Sequence, residues 1–67
     1  MTAEHSAVAL LMARDLTERG ARPERESECI LALLAAGWRP QIIDDLLDEA
    51  RENAAAGRGV EILRRAA

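Results

Sequence analysis

Three kinds of side chain in this 67-residue sequence could do chemistry: a row of carboxylates, one thiol and one imidazole. The carboxylates are Asp44, Asp45, Asp48, Glu49 and Glu52. On a helix their spacing gathers them, with Gln41, onto one face. Such a face can draw a divalent cation, hold a cationic partner, or keep an otherwise apolar helix in solution. The thiol is Cys29 and the imidazole is His5. A nucleophilic thiol needs a base within hydrogen-bond reach and a third group to orient that base. Cys29 follows Glu24, Glu26 and Glu28, surroundings that raise a thiol pKa, and nothing in the sequence joins it to His5. A single cysteine forms no internal disulfide, and one cysteine with one histidine supplies none of the usual zinc ligand sets. The expectation is no catalytic residue, no metal and no cofactor, hence not an enzyme.

Asp44-Asp45-Leu46-Leu47-Asp48 resembles the D-D-x-x-D signature of isoprenoid synthases, whose aspartates hold magnesium against a diphosphate. That family uses a large helical barrel with a second acidic motif facing the first, and 67 residues do not build such a cavity. Magnesium moreover binds one or two carboxylates together with substrate phosphates. The row reads instead as the polar face opposite an apolar stripe.

The elements that must position these residues are helices. Ala and Leu dominate, Glu, Arg and Asp supply polar faces, and Phe and Tyr are absent. A domain of this size buries only about 60% of the surface its unfolded chain exposes, so well-formed helices and self-association are its sources of stability. The spacing predicts a single all-α domain over residues 1–67: a compact bundle of helices over about 3–19, 23–36 and 40–56, plus a short fourth over 58–65. In the first, capped by Thr2 and ended by Gly20, Val8, Ala9, Met12, Ala13 and Leu16 share the inward face, with His5 beside them. Arg14, Asp15 and Glu18 lie across from it. Ala7, Leu10 and Leu11 fall outside that face and await either a neighbouring helix or a second copy in a homodimer. Pro23 opens the second helix, with Ser27, Ile30, Leu33 and Leu34 inward. In the third, Ile42, Ile43, Leu46, Leu47, Ala50 and Ala54 recur at the spacing of a buried stripe. Gly57 and Gly59 break it, and Val60, Ile62 and Leu63 give the fourth its small apolar set.

Between the second and third helices stands Gly37-Trp38-Arg39-Pro40. If Gly37 is the left-handed residue that ends one helix, Trp38 leans back on Leu33. With Arg39 as N-cap and Pro40 at the first helical position, Trp38 also reaches forward to Ile43. One indole then pins the corner from both sides. The stretch CILALLAAGWRPQIIDDLL resembles a DNA-binding helix-turn-helix: small Ala32, Gly37 in the turn, Trp38 beside it, and buried Ile43 and Leu46 beyond. The resemblance implies a transcriptional regulator whose second helix enters the major groove. Here that helix would present Gln41, Asp44, Asp45, Asp48 and Glu49, and carboxylates repel the phosphates on which DNA affinity rests. Ala36-Gly37-Trp38 is also similar to the Met-Gly-aromatic loop of ubiquitin-associated domains, with Val60, Ile62 and Leu63 matching the apolar last helix, which implies a helical adaptor. Alanine replaces the methionine of that loop, and the first helix has no counterpart in the family.

The net charge is −3, unevenly spread: the acids of residues 41–53 stand against Arg51 alone, whereas Arg58, Arg64 and Arg65 outnumber Glu61 beyond them. Every basic residue is arginine, which suggests a GC-rich bacterial or phage source. The start, MTAEHSAVALLMARD, lacks a basic leader and soon reaches charge, so a cytoplasmic, non-membrane protein is expected. The expected function is that of a small acidic protein-binding module engaging a basic surface, such as the nucleic-acid channel of a host complex, through Gln41, Asp44, Asp45, Asp48, Glu49 and Glu52. In size and charge the chain resembles phage-encoded inhibitors, anti-CRISPR proteins among them. Direct nucleic-acid binding is not expected.

Overall fold

The computed structural model describes residues 3–58. Helix α1 spans Ala3–Glu18, α2 Glu26–Ala35 and α3 Pro40–Ala55, and no strand occurs among the described residues. This is the all-α bundle that the spacing predicts. The expected Thr2 cap and, past Arg58, the expected fourth helix lie outside the described residues.

Helix α1 stops at Gly20, whose φ of +69° belongs to the left-handed region that a side chain disfavours. Two backbone bonds close the end: Gly20 N–H donates to Thr17 O (3.2 Å) and Ala21 N–H to Leu16 O (3.0 Å). Helix α2 ends in the same way at Gly37, φ +96°. There Gly37 N–H donates to Leu34 O (3.0 Å) and Trp38 N–H to Leu33 O (3.1 Å). Trp38 and Ala21 both pack on the core from these positions.

The start of α2 corrects the expectation. Pro23 does not open the helix; it sits inside a turn that Arg25 N–H closes onto Arg22 O (3.0 Å). A proline suits the second position of such a turn as well as it suits a helix start, because both require φ near −65°. The helix begins three residues later, with Arg25 as N-cap and Cys29 N–H donating to Arg25 O (3.0 Å).

The core joins Met12 and Leu16 of α1, Cys29 and Leu33 of α2, and Ile43, Leu46, Leu47 and Ala50 of α3. The most extensive packing is between α1 and α3. Ala9, Met12, Ala13 and Leu16 are wholly buried, as the first stripe predicts, whereas Val8 of the same stripe is half-buried and His5 beside it is exposed. On α2 the buried face is rotated from the expected one. Cys29 and Leu33 are buried and Ile30 is half-buried, while Ser27 and Leu34 are exposed. Cys29 and Leu33 are the residues of α2 that enter the core, with Ala32 partly buried against it. The long side chains of Leu31 and Leu34 are left outside.

Candidate functional site

The surface that the sequence singles out is the outer face of α3. Gln41, Asp44, Asp45, Asp48 and Glu52 are all exposed there, and the Asp48 side chain is 97% accessible. Glu49 departs from the expectation: it is half-buried, its Oε2 enclosed and without a hydrogen-bond partner among the described residues. Its position, one turn from Asn53 and two from Ile42, sets it on the flank of the stripe. Asn53 is itself buried, and its Oδ1 accepts from Arg58 Nη1 at 2.7 Å.

Arg51, the one cation within this helix, does little to balance the row. Its Nε donates to Pro23 O at 2.7 Å, which turns the guanidinium toward the α1–α2 loop. Asp48 meets it only at 4.0 Å. Asp44, Asp45 and Glu52 form no ion pair among the described residues. The face therefore presents an excess of negative charge to solvent, offset only by Arg51 beside Asp48, and like charges four residues apart mildly destabilise the helix that carries them. The helix tolerates this because Ile43, Leu46, Leu47 and Ala50 are buried on its other side.

Beside the row, α2 and α3 enclose a shallow groove of about 400 Å³ lined by Glu26, Ile30, Leu34, Pro40, Gln41, Ile43, Asp44 and Leu47. Both charged residues on its walls are acids. Leu34 on its lining is 42% exposed, and Leu31, one turn earlier on α2, is 67% exposed. Periodicity missed the groove because α2 is apolar around most of its circumference. The expected self-association set on α1 is less prominent, with Ala7 exposed, Leu11 36% exposed and Leu10 half-buried.

The corner at residues 37–40 positions both helices of the groove. Arg39 is the N-cap of α3 and Pro40 occupies its first turn, as expected. Trp38, Leu33 and Ile43 belong to one packed core, with Trp38 partly buried against it. Trp38 has a third tie that the spacing does not reveal. Its Nε1 donates to Asp15 Oδ2 at 2.7 Å, so the indole holds α1 as well. A half-buried tryptophan needs an acceptor for its N–H, and a carboxylate is a strong one. Helical spacing sets Asp15 across from the core, yet its side chain is only 14% accessible and also meets Arg14 Nη2 at 3.3 Å.

The thiol and the imidazole are used apart from each other. Cys29 is buried, and its Sγ donates to Arg22 O at 3.2 Å. Burial is the main cause that pushes its pKa up; the Arg51 guanidinium opposes this, and Glu28 and Glu24 add to it. His5 lines a small depression with Val8, Ile42, Asp45 and Leu46. No cluster of His, Cys, Asp and Glu suited to a metal ion occurs among the described residues. No helix of the described residues is long and apolar enough to cross a membrane.

In comparisons with known proteins, no family model, no curated protein and no solved structure matches the chain.

Proposed function

We propose that this chain is a small protein-binding module that engages a basic, nucleic-acid-binding surface of a host complex, in the manner of a phage-encoded inhibitor of the anti-CRISPR kind. One observation carries the reading: Gln41, Asp44, Asp45, Asp48 and Glu52 form an exposed face whose four acids meet a single cation, Arg51, which reaches Asp48 at 4.0 Å while its Nε is held by Pro23 O. Carboxylates spaced along a rigid helix can occupy arginine sites that otherwise hold phosphate, and complementary charge speeds the encounter with such a surface. Glu49 belongs to the flank of this face and contributes negative potential from a half-buried position. Self-association through Ala7, Leu10 and Leu11 is part of the same proposal, as a way for so small a protein to present two acidic faces.

The test uses an arginine-rich peptide and the triple variant Asp44→Asn, Asp45→Asn and Asp48→Asn. Exposed charge pairs contribute roughly 0.2–1 kcal/mol each, so the triple variant should bind about tenfold more weakly with unchanged helicity. Affinity for the unaltered chain should also fall as salt rises. Equal binding by the variant would return the row to the role of a solvated face.

The corner supports a second reading, a helix-turn-helix regulator, because its glycine turn and Pro40 helix start are both in place. The charge on α3 opposes that reading, and a duplex titration separates the two.

A further inference from the structure

We infer that the partner presents an amphipathic helix, whose apolar side chains enter the α2–α3 groove while flanking arginines or lysines meet the carboxylates beside it. This rests on the proposed acidic-face reading and adds to it what the partner must offer between its positive charges.

The floor of the groove is apolar, from Ile30, Leu34, Pro40, Ile43 and Leu47, and its charged walls, Glu26 and Asp44, are acidic. A phosphate or a nucleic acid would meet two carboxylates and no donor cation there. A purely basic surface would satisfy the carboxylates but leave the apolar floor in water. A segment carrying both characters satisfies the whole lining, and an apolar stripe seated between two helices is a recurrent mode of recognition. Leu31 and Leu34 extend the apolar surface along α2, where a monomer gains nothing by exposing them together. Asp44 belongs both to the groove and to the acidic row, so the two surfaces are continuous. A second copy of this chain fits less well, because pairing groove to groove would gather Glu26 and Asp44 of both copies, four acids with no cation on the lining.

The test is a titration of the full chain with two helical peptides. One carries two leucines a turn apart flanked by arginines; the other has serines in place of the leucines and the same charge. The leucine peptide should bind about tenfold more tightly, and Leu34→Ser, at a position 42% exposed and outside the core cluster, should abolish the difference. Amide signals of Ile30, Leu34 and Leu47 should move with the leucine peptide alone. Equal affinity for the two peptides, or a preference that survives Leu34→Ser, overturns the inference. If both peptides bind equally and Asp45→Asn with Asp48→Asn weakens both, the acidic-face reading stands and only the groove is lost. If the leucine preference depends on Leu34 but neither peptide responds to those two carboxylates, the groove stands and the wider acidic face is lost. A concentration-dependent dimer that Leu34→Ser dissociates would assign the groove to a second copy and overturn the inference.

Discussion

The two joints of the bundle carry the same pattern, Gly-x-Arg-Pro, at Gly20-Ala21-Arg22-Pro23 and at Gly37-Trp38-Arg39-Pro40, and they fold differently. Their first halves are alike. Each glycine takes a positive φ, the next residue donates its N–H to the carbonyl five positions back, and that residue packs on the core. They part at the proline. Pro40 starts α3 at once, whereas Pro23 lies in a turn and α2 waits until Glu26. The difference lies in long-range ties. Pro23 O accepts Arg51 Nε and Arg22 O accepts the Cys29 thiol, and these hold the first joint in a loop. At the second joint the tie is the Trp38 indole on Asp15, which leaves the backbone of Arg39 and Pro40 free to enter the helix. A glycine stop is thus a local property, while the place where the next helix starts depends on what the joint touches.

The largest effect should come from the residue with the most ties. Trp38→Ala removes both its packing and its bond to Asp15, and should cost about 3 kcal/mol in chemical denaturation, enough to unfold much of so small a domain. Trp38→Phe keeps the ring but leaves Asp15 without its donor, and should cost about 1–2 kcal/mol. A Trp38→Ala loss no greater than that of Trp38→Phe would show that the packing role is overstated.

Arg51→Met comes next. It keeps the aliphatic stem but removes the donor to Pro23 O, so a loss of about 1–2 kcal/mol is expected, with faster amide exchange confined to residues 20–25. Exchange that quickens equally at both joints would break the distinction between them.

The smallest effects should be the matched pair Gly20→Ala and Gly37→Ala. An added Cβ meets no atom within 4 Å at either site, so the cost is backbone strain alone, about 1 kcal/mol in each case. Unequal losses would mean that the two glycine stops are less alike than their hydrogen bonds indicate.

The same contrast explains what was legible in the sequence. The α3 stripe was readable because acids and apolar residues alternate at helical spacing, and burial follows it at Ile43, Leu46, Leu47 and Ala50. The Gly37 corner was readable because positive φ and the fixed φ of Pro40 are local demands. The orientation of α2 was not. With Ile30, Leu31, Leu33 and Leu34 in succession, hydrophobicity does not choose a face, and the choice falls to the Cys29 thiol, the small Ala32 and the Trp38 corner. The same ambiguity hid the groove. Spacing does not place Asp15 and Glu49 for a related reason: each stands at the edge of a stripe, where a neighbouring helix decides whether a carboxylate is covered. Which carboxylate would accept the Trp38 N–H depended on how α1 packs, and no local pattern carries that.

We propose that nucleic acid avoids α3 and that a cationic protein surface seeks it. The decisive measurement for the first half of this proposal is a low-salt titration of the full chain with duplex DNA. The acidic row predicts no binding at any duplex concentration that a regulator would need. Affinity that is present at low salt and falls steeply as salt rises would contradict the claim and make the Gly37 corner the turn of a DNA-reading motif.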